Sequence, residues 1–262
     1  MMKPLRDEVV ARACSVGQTS SAPAQPKLHA PSAITPQELS QIAGRAVVFD
    51  VENVFYDATS WRRWLFRLIT RMGVFTHYRP FFRVWDRDFL VDVQRGRKDY
   101  WDAFREFLQA IGMRSAQVDE VLAAATMQYL HGERDIRLLP DVRSTVSQLR
   151  SRGLSLGVLA NSPYPATQLT QKLERLGLKN YLQSIVCSYD VRDVMPSPEC
   201  YETALDGLGQ SAQDTVFVAA DTAALTGAAA VGMNTVAFNH DPDAAADVYL
   251  DRFSQLLALT AA

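Results

Sequence analysis

The chain has 262 residues, 48% of them hydrophobic and 21% charged, with a formal net charge of −2. That length allows one large domain or two smaller ones, closed without disulfides or a structural metal. The missing basic excess speaks against a dedicated nucleic-acid binder, and the longest apolar runs fall far short of the roughly 18 residues of a membrane span.

Cys14, Cys187 and Cys200 are too widely spaced for a disulfide framework or a zinc knuckle, so a cytoplasmic protein is expected. Residues 1–33 are rich in Ser, Ala, Pro and Gln and read as a disordered arm with no secretory h-region. Order is expected from Thr35-Pro36-Gln37-Glu38, where Thr35 can cap a short helix that ends near Gly44. Ala46 to Phe49 reads as a buried strand that ends on Asp50. Residues 58–139 carry no strand signal. Trp61, Trp64, Leu65, Leu68 and Met72 recur at helical spacing, and further helices are expected around 80–93, 98–111 and 115–130.

Beyond Leu139-Pro140 a helix over 141–152 leads into alternating elements. Strands are expected over 154–159, 184–188, 215–219 and 234–238, and helices over 166–176, 198–208, 223–231 and 244–257. The pattern predicts an α/β fold: a Rossmann-like, doubly wound parallel sheet of about five strands, with an all-helical segment inserted after the first. The body would comprise residues 34–57 and 140–262, and the insert, residues 58–139, would act as a lid. In such sheets the chemistry sits at the carboxyl ends of the strands. Two acids, Asp50 and Asp221, stand at two of those ends and could together hold a divalent cation through oxygen.

The residues at those ends resemble the motifs of the haloacid dehalogenase-like hydrolases. Phe49-Asp50-Val51-Glu52-Asn53-Val54-Phe55 is similar to a strand followed by Asp-x-Asp-Gly-Thr-Leu. Leu156 to Ser162 resembles a strand ending in Thr or Ser, Met195-Pro196-Ser197-Pro198-Glu199 resembles Lys-Pro-x-Pro-Glu, and Val218 to Asp221 resembles a strand ending in Gly-Asp. The phosphoglycolate phosphatases are the branch it is most similar to, and the insert falls where the family carries its cap.

The resemblance implies a phosphomonoesterase of small phosphorylated metabolites. Asp50 would attack phosphorus and Glu52 would serve as the acid–base. Mg²⁺ would be held by Asp50, Asp221 and the backbone carbonyl of Glu52. It also shows departures. Glu52 is one methylene longer than the family's Asp, Ala160 stands where a Thr or Ser binds phosphate, and Met195 stands where a Lys cancels charge. Asn161, Ser162 and Arg192 are the polar groups left to receive phosphate or another anionic ligand. No carboxylate follows Asp221 within the next six residues.

Three readings compete: a phosphatase whose activity is weakened or lost, a non-catalytic pseudoenzyme that binds a ligand or partner, and a metal-independent haloacid dehalogenase. The insert adds a further feature. Residues 57–105 hold eleven Arg or Lys against six Asp, with many aromatics. Such a surface could meet an anionic substrate, a protein partner or an anionic membrane surface. Aromatic stripes at helical spacing more commonly form core, and charged faces are commonly solvated. Cys187 and Cys200 read as inert.

Overall fold

The computed structural model describes residues 45–258, without the side chains of Glu133 and Arg134. The expected arm over 1–33, Cys14 and the helix after Thr35 lie outside the described residues. The chain forms two compact units. One holds Ser60–Val91 and Lys98–Asp135; the other holds the described residues up to Thr59, Asp92–Arg97, and the chain from Ile136 on.

The second unit is built on six parallel strands: β1 (Ala46–Phe49), β2 (Ser155–Ala160), β3 (Ser184–Cys187), β4 (Thr215–Ala219), β5 (Asn234–Phe238) and β6 (Val248–Leu250). Their order is β3-β2-β1-β4-β5-β6. Parallel strands are buried on both faces, which explains the continuous apolar runs. Side chains alternate, so Val47 and Phe49 enter one core and Val48 the other. The first core is covered by α6 (Val142–Ser151), α7 (Ala166–Arg175) and the 3₁₀ turn Phe253–Ala258. The second is covered by α9 (Pro198–Leu208) and α10 (Thr222–Ala230).

The sheet departs from expectation at its end. The helix expected over 244–257 does not form. Its place is taken by β6 and the 3₁₀ turn. Val248 and Leu250 are buried while Tyr249 is exposed, a period of two that suits an edge strand better than a helix. Asp247 secures the arrangement, its carboxylate accepting from both the Thr235 amide and the Thr235 hydroxyl at 2.8 Å.

The other unit is helical: α1 (Thr59–Arg71), α2 (Tyr78–Val84), a π turn (Trp85–Leu90) running on into α3 (Val91–Gln94), α4 (Tyr100–Ala110) and α5 (Ser115–Asp135). Asp99 caps α4 by accepting from the amides of Trp101 and Asp102. Phe81, Phe82, Trp85, Phe104 and Phe107 are buried. Their rings meet at 4.9 Å for Phe81–Phe107 and 5.5 Å for Trp85–Phe104, within the range of favourable aromatic pairs. Part of the aromatic stripe is therefore core, while Trp61, Trp64, Phe66, Tyr78, Phe89, Tyr100 and Trp101 are half-buried and Phe75 is exposed. Among the described residues, no helix is long and apolar enough to cross a membrane.

Candidate active site

The strand order reverses direction between β1 and β4, and ligands of open α/β sheets bind at such a switch point. Phe49 pairs with Val218 of β4 and Val158 of β2, and the Asp50 amide donates to Val218 O at 2.9 Å. Asp50 therefore leaves the sheet beside the end of β4. Asp221 stands two residues beyond that strand, where its carboxylate caps α10 by accepting from the Ala224 amide at 2.9 Å. Ala160 ends β2 one step past the level of Asp50.

After Asp50 the chain turns sharply. Asn53 has φ +60°, in the left-handed region where Asn is better tolerated than most side chains. It occupies the place of the glycine in the motif it resembles, and its side-chain oxygen accepts from the Ala58 amide at 3.2 Å. The Asn239 side chain donates to Asn53 O at 3.0 Å and ties the turn to the end of β5. Neither asparagine carries an obvious signal in the sequence. Only the need for a positive φ after Asp50 would have pointed to Asn53.

Burial drives the Asp50 carboxyl up to about 8 from the ordinary 3.8. The Val51 amide, donating at 2.7 Å, opposes the rise, while the charges of Glu52 and Asp221 add to it. The charges of Glu52 and Asp221 thus raise the cost of ionising Asp50. Their oxygen donors are those that hard divalent cations take. Among the described residues, no group of three or more His, Cys, Asp or Glu side chains forms a metal cluster. A cation would accordingly rest on the two carboxylates of Asp50 and Asp221 with the Glu52 backbone carbonyl.

The positions expected to receive phosphate make hydrogen bonds within the protein. Asn161 Oδ1 accepts from the Met195 amide at 2.9 Å, and its Nδ2 donates to Met195 O at 3.3 Å. Ser162 Oγ donates to Tyr164 O at 2.7 Å and accepts from the Tyr164 amide at 3.1 Å. Arg192, itself at φ +68°, donates from Nη1 to Gly96 O at 2.6 Å. Arg95 Nη2 pairs with Asp193 at 2.9 Å, and Ser188 Oγ donates to Gln94 O at 2.9 Å. The short segment 94–96, expected as part of the insert, is thus tied to the loop after β3. Met195 is 7% exposed and packs in the second core with Leu159, Cys200 and Tyr201. A side chain that would carry charge in the motif it resembles is here part of the apolar interior.

Burial pushes the Cys187 and Cys200 thiols up to about 12, which keeps both protonated and unreactive. A separate groove of about 760 Å³, lined by Arg137, Arg143, Ser144, Arg175 and Tyr181 among others, contains none of these site residues.

A doubly wound parallel sheet with carboxylates at its switch point belongs to the open α/β proteins, in which ligands bind at the carboxyl ends of the strands. A family model for haloacid dehalogenase-like hydrolases matches residues 45–232, and the chain belongs to that family.

Among curated proteins it is 26% identical to the glyceraldehyde 3-phosphate phosphatase of Methanopyrus kandleri, over 66% of this chain and 74% of that protein. It is 30% identical to the ribulose-1,5-bisphosphate 5-phosphatase of Halopiger xanaduensis, over 45% of this chain and 49% of that protein. With the (S)-2-haloacid dehalogenase 4A of Burkholderia cepacia, 29% identity covers 40% and 45%. The relatives from Halopiger xanaduensis and Burkholderia cepacia are thus matched over about half their length or less. A structure described as a predicted phosphoglycolate phosphatase from Haemophilus somnus aligns with TM-score 0.61 at 13% identity, over 82% of this chain and 97% of that one. A structure described as a dehalogenase aligns with TM-score 0.60 at 22% identity, over 84% and 98%. These likenesses establish the fold.

Proposed function

We propose that this protein is a metal-assisted phosphomonoesterase of small phosphorylated metabolites, with turnover well below that of a fully equipped member of its family. The observation that carries this reading is the Asp50 carboxyl. Burial and two neighbouring acids hold it largely protonated at neutral pH, and a cation is what would make it a nucleophile. Asp50, Asp221 and the Glu52 carbonyl are the residues that would hold Mg²⁺, which supplies neutralisation of the phosphoryl oxygens. Asp50 would attack phosphorus and form an acyl phosphate. Glu52 would give its proton to the leaving oxygen and then take one from the attacking water. Arg192, the cation nearest in sequence to the missing Lys, donates to Gly96 O, and Met195 is apolar. Losing one such charge-stabilising group costs roughly 10² to 10³ in rate.

The buried Met195 and the engaged Asn161 favour a second reading, a non-catalytic protein that binds an anionic ligand on the same scaffold. A haloacid dehalogenase is the third, and independence from metal distinguishes it. The test is calorimetric titration of the full chain with Mg²⁺ and beryllofluoride, beside Asp50→Asn and Asp221→Asn. Binding that both variants lose, together with Mg²⁺-dependent release of phosphate, supports the proposal. Binding without release selects the scaffold reading. Release of halide from a 2-haloacid in the presence of EDTA selects the dehalogenase.

A further inference from the structure

The helical unit carries an exposed feature of its own. From Ala58 to Trp85 there are six arginines and no Asp or Glu, in a chain whose net charge is −2. On α1, Arg63, Arg67 and Arg71 follow one another at four-residue spacing and so lie along one face. Arg79 and Arg83 sit one turn apart on α2. All five are exposed.

Between the helices the chain makes a tight turn. Gly73 has φ +90°, and the Val74 amide donates back to Ile69 O at 3.1 Å. The turn is held from within by rings: Phe66 lies 5.4 Å from Tyr78 and 5.8 Å from Phe81, and Tyr78 lies 4.8 Å from Phe82. Phe75 is left outside this cluster, 90% exposed at the tip.

An ordered turn that presents one large apolar ring, with arginines on the helix ends to either side, matches the chemistry of an anionic bilayer surface. The ring enters the acyl boundary, while the guanidinium groups stay level with the lipid phosphates on their flexible stems. The other occupants fit the charge less well. A second copy would set two arginine faces against each other. The chain's own first 33 residues carry Lys3, Arg6, Arg12 and Lys27 against Asp7 and Glu8, and so share the sign of the surface. We propose that the turn around Phe75, with Arg67, Arg71 and Arg79, docks the protein on membranes rich in anionic lipid.

The experiment is flotation of the full chain with vesicles of phosphatidylcholine alone and with 30% phosphatidylglycerol, at low and high salt. The expected result is partition onto the anionic vesicles alone, weakened by salt. Phe75→Ser should reduce it about tenfold. Arg67→Gln, Arg71→Gln and Arg79→Gln together should reduce it on the order of 100-fold, about fivefold for each arginine near the surface. All four residues are exposed, and unchanged thermal melts would confirm that the variants fold. Equal partition onto neutral vesicles, or none onto either, overturns the proposal. So does flotation of Phe75→Ser that matches the parent. A self-association that Phe75→Ser abolishes assigns the surface to a second copy. Capture of polyglutamate that Phe75→Ser weakens, without lipid binding, assigns it to an acidic protein.

Discussion

Asn161 grips Met195 by its backbone, accepting from the amide at 2.9 Å and donating to the carbonyl at 3.3 Å. One side chain from the end of β2 thereby sets the path of the loop that leads into α9. In the folded protein the Asn161 side chain thus spans two loops.

Asn161→Ala removes both bonds and leaves the part-buried Met195 amide without a partner. The expected cost is about 1–3 kcal/mol of stability, read from urea denaturation at constant m-value. If Asn161 were a surface ligand for phosphate alone, the midpoint would not move while phosphate affinity fell.

The Asp50 carboxyl lies near 8 in the folded protein and near 3.8 in the unfolded chain. A carboxyl raised on folding binds more protons folded than unfolded, so stability falls as pH rises between those two values. Without divalent cation, Asp50→Asn should therefore raise the melting temperature at pH 8.5 by at least about 3 °C and change it little at pH 4. Thermal melts at both pH values measure this. Equal shifts at the two would show that burial of the carboxylate is not the cause.

Met195→Lys, Ala160→Thr and Glu52→Asp together restore the charge, the hydroxyl and the shorter acid. Turnover of a small phosphomonoester with Mg²⁺ should rise by at least about 10²-fold and vanish when Asp50→Asn is added. No rise would place the defect elsewhere, in the part of the fourth motif after Asp221 that carries no second carboxylate.

At Gly227 an added Cβ would stand 2.5 Å from Tyr201 Oη and 2.7 Å from Pro196 Cβ. Tyr201 is fixed by its own donation to Ala224 O at 2.7 Å and cannot withdraw freely. Gly227→Ala should cost about 1–3 kcal/mol through overpacking, though alanine is the better helix former in isolation. Chemical denaturation reads the sign directly: a stabilised variant would mean that α9 and α10 can part.

Much of the fold is legible from local pattern. The runs Thr215–Ala219 and Asn234–Phe238 are buried strands because parallel strands need apolar groups on both faces, and α9 begins at Pro198 because proline suits a first turn. The stretch after β5 misleads. The stretch from Ala244 to Leu257 has helical composition, yet the open edge of β5 and the Asp247–Thr235 contacts draw Val248–Leu250 into the sheet.

The sequence by itself determined the family, the strand that delivers Asp50 and the loss of Lys, Thr and Asp at three motif positions, because these depend on residue identity and short-range spacing. Only the tertiary structure decided how the remaining polar groups are spent. Arg192, Asn161 and Ser162 find partners far away or around a turn, and for the half-buried Asn161 and Ser162 those partners satisfy groups that would otherwise be left unpaired. The ionisation of Asp50 belongs to the tertiary structure as well, since burial and the meeting of three acids from two strand ends are not properties of any one segment.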